Sequence, residues 1–144
     1  MILFGRRIND AMGAYVVSQL VKEMVKRRIH VRGARVLVMG MTFKENCPDL
    51  HNTLVVDILA ELADYSVMVD VLDPQASKEA TEQQYGILLI QNPEVGIYDA
   101  ILLAVAYREF HQLGAASIHR WRKSEHVIYD LKYVLPRASV DIRL

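Results

Sequence analysis

The stretch Gly40-Met-Thr-Phe-Lys-Glu-Asn-Cys-Pro-Asp49 is the densest in side chains that can do chemistry. It joins an apolar, strand-like run to a helix that begins near Asn52 or Thr53. The first backbone N–H groups of a helix have no partner within the helix and favour a phosphate. Lys44 adds a point charge close by. An anion site is one reading of this loop. A solvated loop lysine is the other, and spacing alone leaves both open. The loop is not Gly-x-Gly-x-x-Gly, so it is not the usual dinucleotide fingerprint, and it lacks the Gly-Lys-Ser/Thr ending of a P-loop.

Other reactive residues are less telling. Cys47 is the chain's 1 cysteine. As a nucleophile it needs a base and an electropositive setting. His51 is near enough in sequence to be that base, but a lone small cysteine more often packs. The 5 histidines (His30, His51, His111, His119 and His126) are scattered. Only His111 and His119 come close to a ligand pair, and their spacing suits one metal poorly, so no metal site is expected. Trp121, between Arg120 and Arg122, reads as an amphipathic anchor over a sheet edge rather than a base-stacking platform. Lys26, Arg27 and Arg28 read as a solvated helix end.

Periodicity gives the elements that position these residues. Ile8, Met12, Tyr15, Val16, Gln19, Leu20 and Met24 share one face of a helix from Asn9 to Arg28, and Val17, Val21 and Val25 widen it. Asn9 or Asp10 can cap its start, and the basic residues suit its negative end. Gly13 is its weak spot. So wide an apolar face implies burial on more than one side, by a further domain or a second subunit.

Arg35–Met39 reads as a buried parallel strand stopped by Gly40. Thr53–Ala63 is an amphipathic helix with Leu54, Val55, Ile58, Leu59 and Leu62 inward. Strands are expected at Ser66–Leu72, at Ala100–Val105 and at His126–Tyr129, with a short edge strand at Ile87–Ile90. Ser77–Gln84 reads as a short polar helix. Tyr107–Phe110 reads as the beginning of a helical or turn segment, Ile118–Trp121 as a brief helix, and the residues after Asp130 as a tail. Alternating strands and helices argue for an α/β fold, a parallel sheet with helices on both faces. Ligands of such sheets bind outside the carboxyl ends of the strands. Next to those ends stand the Gly40 loop, Asp73-Pro74, Ala106-Tyr107-Arg108 and Asp130-Leu131-Lys132.

Composition narrows the classes. A chain of 144 residues is of one-domain size. Its 17 Lys+Arg balance 17 Asp+Glu. That balance gives no electrostatic footprint for nucleic acid or an anionic membrane. No apolar run reaches the roughly 18 residues of a membrane span, and no signal-peptide core follows Met1. With a lone cysteine, a soluble protein of the reducing cytoplasm is expected.

The motifs resemble one family. Gly5-Arg-Arg-Ile-Asn-Asp10 is similar to the start of the central helix in UDP-glucose/GDP-mannose dehydrogenases. The Phe43-Lys44 loop with Asp49 and Asn52-Thr53 is similar to that family's Gly-x-x-Phe-Lys-x-x-x-x-Asp-x-Arg-x-Ser/Thr. Asp73-Pro74 and Tyr129-Asp-Leu-Lys-Tyr-Val-Leu-Pro136 fit it too. The Asn-Cys-Pro-Asp and Asp-Leu-Lys versions look like the bacterial branch that oxidises UDP-N-acetylhexosamines for surface polysaccharides.

The resemblance implies a Rossmann-like fold preceded by a long dimerisation helix. It divides the chain into a central helix over 1–30 and a C-terminal UDP-binding domain over 31–144. It implies a homodimer through the Asn9–Arg28 helix and a UDP-sugar as ligand. It implies NAD as cofactor, held mainly by an N-terminal domain that this stretch lacks. The whole enzyme would oxidise the sugar's C6 alcohol to a carboxylate in two hydride transfers. Its nucleophilic cysteine belongs to a segment before the central helix. Cys47 does not match it, so no catalytic residue is assigned and this stretch alone is expected to bind without turnover.

By the same resemblance, Lys44 contacts the nucleotide sugar, Arg6 reaches the sugar site of a neighbouring subunit, and Lys132 lies near the uridine nucleotide. His51 stands where the family has an arginine aimed at NAD. It is shorter, lacks the bidentate fork and is largely neutral at pH 7, which weakens that contact. Two other classes of function remain: a non-catalytic dimerisation or regulatory module, and a free-standing Rossmann-like regulator that binds another nucleotide.

Overall fold

The computed structural model describes residues 2–41, 53–74, 76, 78–85 and 88–144, with helix residues 2–11, 53, 80, 84 and 85 described by backbone alone. Six strands form one sheet, all parallel, in the order β3-β2-β1-β4-β5-β6. They are β1 (Arg35–Met39), β2 (Met68–Leu72), β3 (Leu89–Ile90), β4 (Tyr98–Leu103), β5 (Arg122–Asp130) and β6 (Ile142–Arg143). The helices are α1 (Ile2–Lys26), α2 (Thr53–Asp64), α3 (Lys78–Tyr85) and α4 (Arg108–His119). The parallel α/β architecture expected from the alternation is present.

The central strands are apolar throughout because both their faces are covered. On one face, Val16, Val17, Leu20 and Met24 of α1 and Val55, Ile58 and Leu62 of α2 pack on Val36, Val38, Ala100 and Leu102. On the other, Phe110 and Ile118 of α4 and Val134, Leu135 and Val140 of the C-terminal stretch pack on Leu37, Met39, Ile101 and Leu103. Helix α1 therefore shares the core of the sheet. Its stripe is turned from the one expected: Val17 is fully buried, whereas Met12 and Tyr15 are exposed. The core it meets is set by α2, which admits the Val16–Val17–Leu20–Met24 side.

Several expected bounds are corrected. Helix α1 begins at Ile2, so Asn9 and Asp10 lie inside it and not at its start. The segments expected at Tyr107–Phe110 and Ile118–Trp121 overlap the two ends of one helix, α4, with Tyr107 before its start and Arg120 and Trp121 past its end. The two ends are separated at Gly114, whose φ of 76° and ψ of 166° no helix contains. Strand β4 starts at Tyr98 and stops at Leu103, leaving Ala104 and Val105 in the turn beyond it. Strand β5 starts at Arg122, earlier than expected, because it is irregular there: Tyr98 is opposite Arg122, yet Ala100 is opposite Val127. The polar run Lys123-Ser-Glu-His126 bulges at this shift and hides the strand from a search for apolar runs. The tail is not featureless. After a 3₁₀ turn at Arg137–Ser139 it returns as β6 beside Tyr129 and Asp130.

Candidate functional site at the carboxyl ends of the strands

Strand order fixes where a site can form. The chain moves outward from β1 to β2 and β3, then back to β4 on β1's other side. The exits of β1 and β4 therefore diverge, and a crevice opens between them. Gly40 stands at that point. Its φ is 105°, and a Cβ there would lie 2.5 Å from the Cβ of Val105. Only glycine lets the chain leaving β1 pass so close to the chain leaving β4.

Asp73, the first residue after β2, ties these exits together. It is buried. Its Oδ2 accepts the Met41 N–H at 2.6 Å and the Tyr107 hydroxyl at 2.9 Å. Its Oδ1 accepts the Ala76 N–H at 2.9 Å. One carboxylate thus holds the start of the loop after β1, its own loop and the entry to α4. Buried carboxylates endure only when hydrogen bonded in this way. Tyr107 is itself buried and stacks at 5.3 Å, tilted, on Phe110.

Asp130, at the end of β5, does a more local job. It is wholly buried, and it accepts the N–H groups of Lys132 at 3.2 Å, Val134 at 3.0 Å and Leu135 at 2.9 Å. The Leu131 N–H bonds the Leu103 carbonyl at 3.0 Å and joins this turn to β4. Lys132 rides on the turn and is exposed. Burial, with the nearby Tyr15 adding to it, pushes the Tyr129 hydroxyl up to about 12. It stays neutral beside this end of the sheet.

A cavity of about 320 Å³ opens at the carboxyl ends of β2 and β3, lined by Leu72, Pro74, Pro93, Phe110, Leu113 and Trp121 among others. Trp121 is half-buried against the α4-face core, beside the start of the interior strand β5 and not, as expected, over a sheet edge. Among the described residues no cluster of His, Cys, Asp and Glu could hold a metal ion. The His119 ring meets the Ser139 carbonyl through Nε2 at 2.9 Å.

Residues 37–137 match the UDP binding domain of the UDP-glucose/GDP-mannose dehydrogenase family. The chain belongs to that family. It is 61% identical over all 144 residues to a UDP-N-acetyl-D-glucosamine 6-dehydrogenase of Pseudomonas aeruginosa, and covers 34% of that relative. It is 48% identical, with the same coverage of 100% and 34%, to an enzyme of that name from Salmonella typhi. The chain thus spans about a third of the length of these relatives. A solved UDP-D-ManNAc dehydrogenase from Pyrococcus horikoshii shares the fold at a TM-score of 0.68 and 22% identity, over 97% of this chain and 32% of that one.

Of the residues singled out by resemblance, Lys132 stands at the crevice end of the sheet, on a turn fixed by Asp130. Lys44, Cys47 and His51 lie outside the described residues. Arg6 lies in α1, among the residues described by backbone alone. NAD was expected elsewhere, and the residues here do not fit it in the usual Rossmann manner. That manner uses a Gly-x-Gly-x-x-Gly turn and an acid after the second strand free to bond the ribose. Here the turn has Gly40-Met41, and the acid, Asp73, is turned inward upon Met41, Ala76 and Tyr107.

Sequence reasoning missed the organising roles of Asp73, Tyr107 and Asp130, marking these residues only by their places just past the strand ends. A signal was available: an acid directly after a buried strand is carried inward by the strand and must find donors there.

Proposed function

We propose that this chain is the UDP-sugar-binding part of an NAD-dependent UDP-N-acetylhexosamine 6-dehydrogenase serving bacterial surface polysaccharide synthesis. The observation that carries the proposal is the 61% identity, over the full 144 residues, to a relative bearing the name UDP-N-acetyl-D-glucosamine 6-dehydrogenase. In this reading residues 1–30 are the dimerisation helix and 31–144 the UDP-binding domain. The diphosphate sits over the β1–β4 crevice, at the loop that carries Lys44 and leads to the start of α2. Lys132 lies near the uridine nucleotide, and Arg6 reaches the sugar in the partner's site.

NAD belongs to the part of the enzyme that the relatives carry beyond this stretch, and His51, in place of the family's arginine, weakens the contact that this stretch would make with it. Oxidation of the C6 alcohol to the carboxylate needs that part as well, so this chain alone binds without turnover. A cytoplasmic setting is part of the proposal and rests on the lone cysteine. So is the absence of nucleic-acid and membrane partners, which rests on the balanced charge. Among the described residues no helix is long and apolar enough to cross a membrane.

A second reading, a non-catalytic module that pairs through α1, draws on the exposure of Met12 at 45% and Tyr15 at 52% on that helix. A free-standing dinucleotide regulator is opposed by the inward Asp73. Calorimetric titration with UDP and, separately, with NAD decides among them. The proposal expects UDP to bind, NAD not to bind, and Lys44→Ala to lose UDP. Binding of NAD without UDP would overturn it, and binding of neither would favour the pairing module.

A further inference from the structure

Gly13 sits inside a long helix, where glycine ordinarily only weakens the element. The structure gives it a task. A Cβ at Gly13 would stand 2.7 Å from the Asp57 Cβ, 3.2 Å from the Asp57 carbonyl carbon and 3.3 Å from the Ile58 nitrogen. All three are atoms of the α2 main chain or rooted on it, and none can swing aside. Helix α1 therefore touches α2 backbone to backbone, and only with glycine at this position.

A second anchor lies just past the other end of α1. Arg27 donates from Nη1 to the His126 carbonyl at 2.9 Å. It pairs through Nη2 with Asp141 at 3.1 Å and through Nε with Glu23 at 3.2 Å. Asp141 in turn accepts the Ile128 N–H at 2.7 Å, so the clasp is rooted in β5. Helix α1 is thus held at a clasp and at a crossing. Arg6 lies beyond the crossing, on the arm that points away from the clasp. At a rise of 1.5 Å per residue, Gly13 is roughly 20 Å from Arg27 and Arg6 roughly 30 Å. Between the two anchors Val16, Val17, Leu20 and Met24 pack on the sheet, so a shift at the crossing is carried outward along the arm that bears Arg6.

We propose that Gly13 is a positioning residue for the sugar site: by letting α1 lie directly on α2 it fixes where Arg6 is presented. This rests on Arg6 reaching the sugar of a bound UDP-sugar, as proposed above. The crossing and the nucleotide site are also linked in sequence, because the Lys44 loop runs into the start of α2.

The test compares UDP with UDP-N-acetylglucosamine, by calorimetry, for the unaltered chain, Gly13→Ala, Arg6→Ala and Gly13→Ala combined with Asp57→Gly. Gly13→Ala is expected to weaken UDP-N-acetylglucosamine about tenfold, as Arg6→Ala does, while UDP changes less than twofold. The double variant removes the 2.7 Å clash, leaves the 3.2 and 3.3 Å contacts with the main chain, and is expected to recover part of the loss. Equal loss of both ligands in Gly13→Ala would mean a merely structural glycine and overturn the proposal. So would an unchanged affinity for UDP-N-acetylglucosamine. Should Gly13→Ala fail to fold, Arg27→Met frees the other anchor, and the same selective loss is expected; its absence overturns the proposal. If the unaltered chain binds no UDP, the nucleotide site itself is refuted. If it binds UDP, and Arg6→Ala weakens the sugar nucleotide where Gly13→Ala does not, only the role of Gly13 falls.

Discussion

The two ends of the sheet handle charge differently. At the carboxyl end, Asp73 and Asp130 are buried and bonded mainly to backbone N–H groups. At the amino end, acids pair with basic side chains that solvent can reach, although Asp99 and Asp141 each also accept a main-chain N–H, of Arg35 at 2.9 Å and Ile128 at 2.7 Å. Arg35 pairs with Asp70 at 2.9 Å, and Lys123 pairs with Asp99 at 3.2 Å. A polar cleft there is lined by Arg28, His30, Arg32, Lys123 and Glu125. Side chains that pair across solvent can rearrange, and each pair stabilises little. Carboxylates bonded to the main chain lock the paths of loops. Among the described residues, the carboxyl end is therefore the one where the chain is fixed as it leaves the strands, at Met41, Ala76, Tyr107 and Lys132 to Leu135, as a ligand-binding crevice would require.

The contrast can be broken most directly at Asp73. Asp73→Ala leaves the Met41 and Ala76 N–H groups and the Tyr107 hydroxyl without this acceptor, and is expected to cost about 3–5 kcal/mol. Urea unfolding measures it, and a cost below about 1 kcal/mol would mean the loops are not locked there. Gly40→Ala forces a side chain into a φ of 105° and against Val105. The expected cost is about 2–3 kcal/mol by the same measurement, with weakened UDP binding.

A test in alkali should show the ends agreeing, since each keeps a buried tyrosine. Tyr129 has a folded-state value near 12 against 10.0 for an ordinary tyrosine. Burial, then the hydrogen bond to Asp70, raises Tyr98 as well. Between these values the folded chain holds protons that the unfolded chain has released. Stability is therefore level up to about pH 10 and falls as pH rises toward 12. Urea midpoints taken from about pH 9 to about pH 12 would show the decline, and a flat profile would contradict it. The smallest effect is expected at the amino end. Lys123→Ala removes an exposed partner of Asp99 and should cost about 0–1 kcal/mol, less at high salt.

Much of the fold was legible in the sequence, for physical reasons. Runs such as Val36-Leu-Val-Met39 and Ala100-Ile-Leu-Leu103 are buried on both faces, and a run apolar throughout announces this. Strand β6 was not legible, because Ile142 and Arg143 form an edge pair too short to leave a pattern. The amino half of β5 was concealed by its bulge, and the unity of α4 by Gly114. At the site, sequence marked the strand exits but not which exits are bonded to which. Asp73 joins Met41 to Tyr107, and nothing local to any of the three residues encodes that meeting. Gly13 has the look of a flaw in a helix until the backbone of α2 is placed against it.

Binding of the nucleotide at the locked end is tested most directly by amide chemical-shift mapping of the labelled chain, titrated with UDP. Gly40, Met41, Asp73, Tyr107, Leu131 and Lys132 are expected to shift, while Arg32, Gly33, Asp99 and Lys123 stay in place. Shifts confined to the Arg32–Lys123 cleft would contradict this and put the ligand at the opposite end of the sheet.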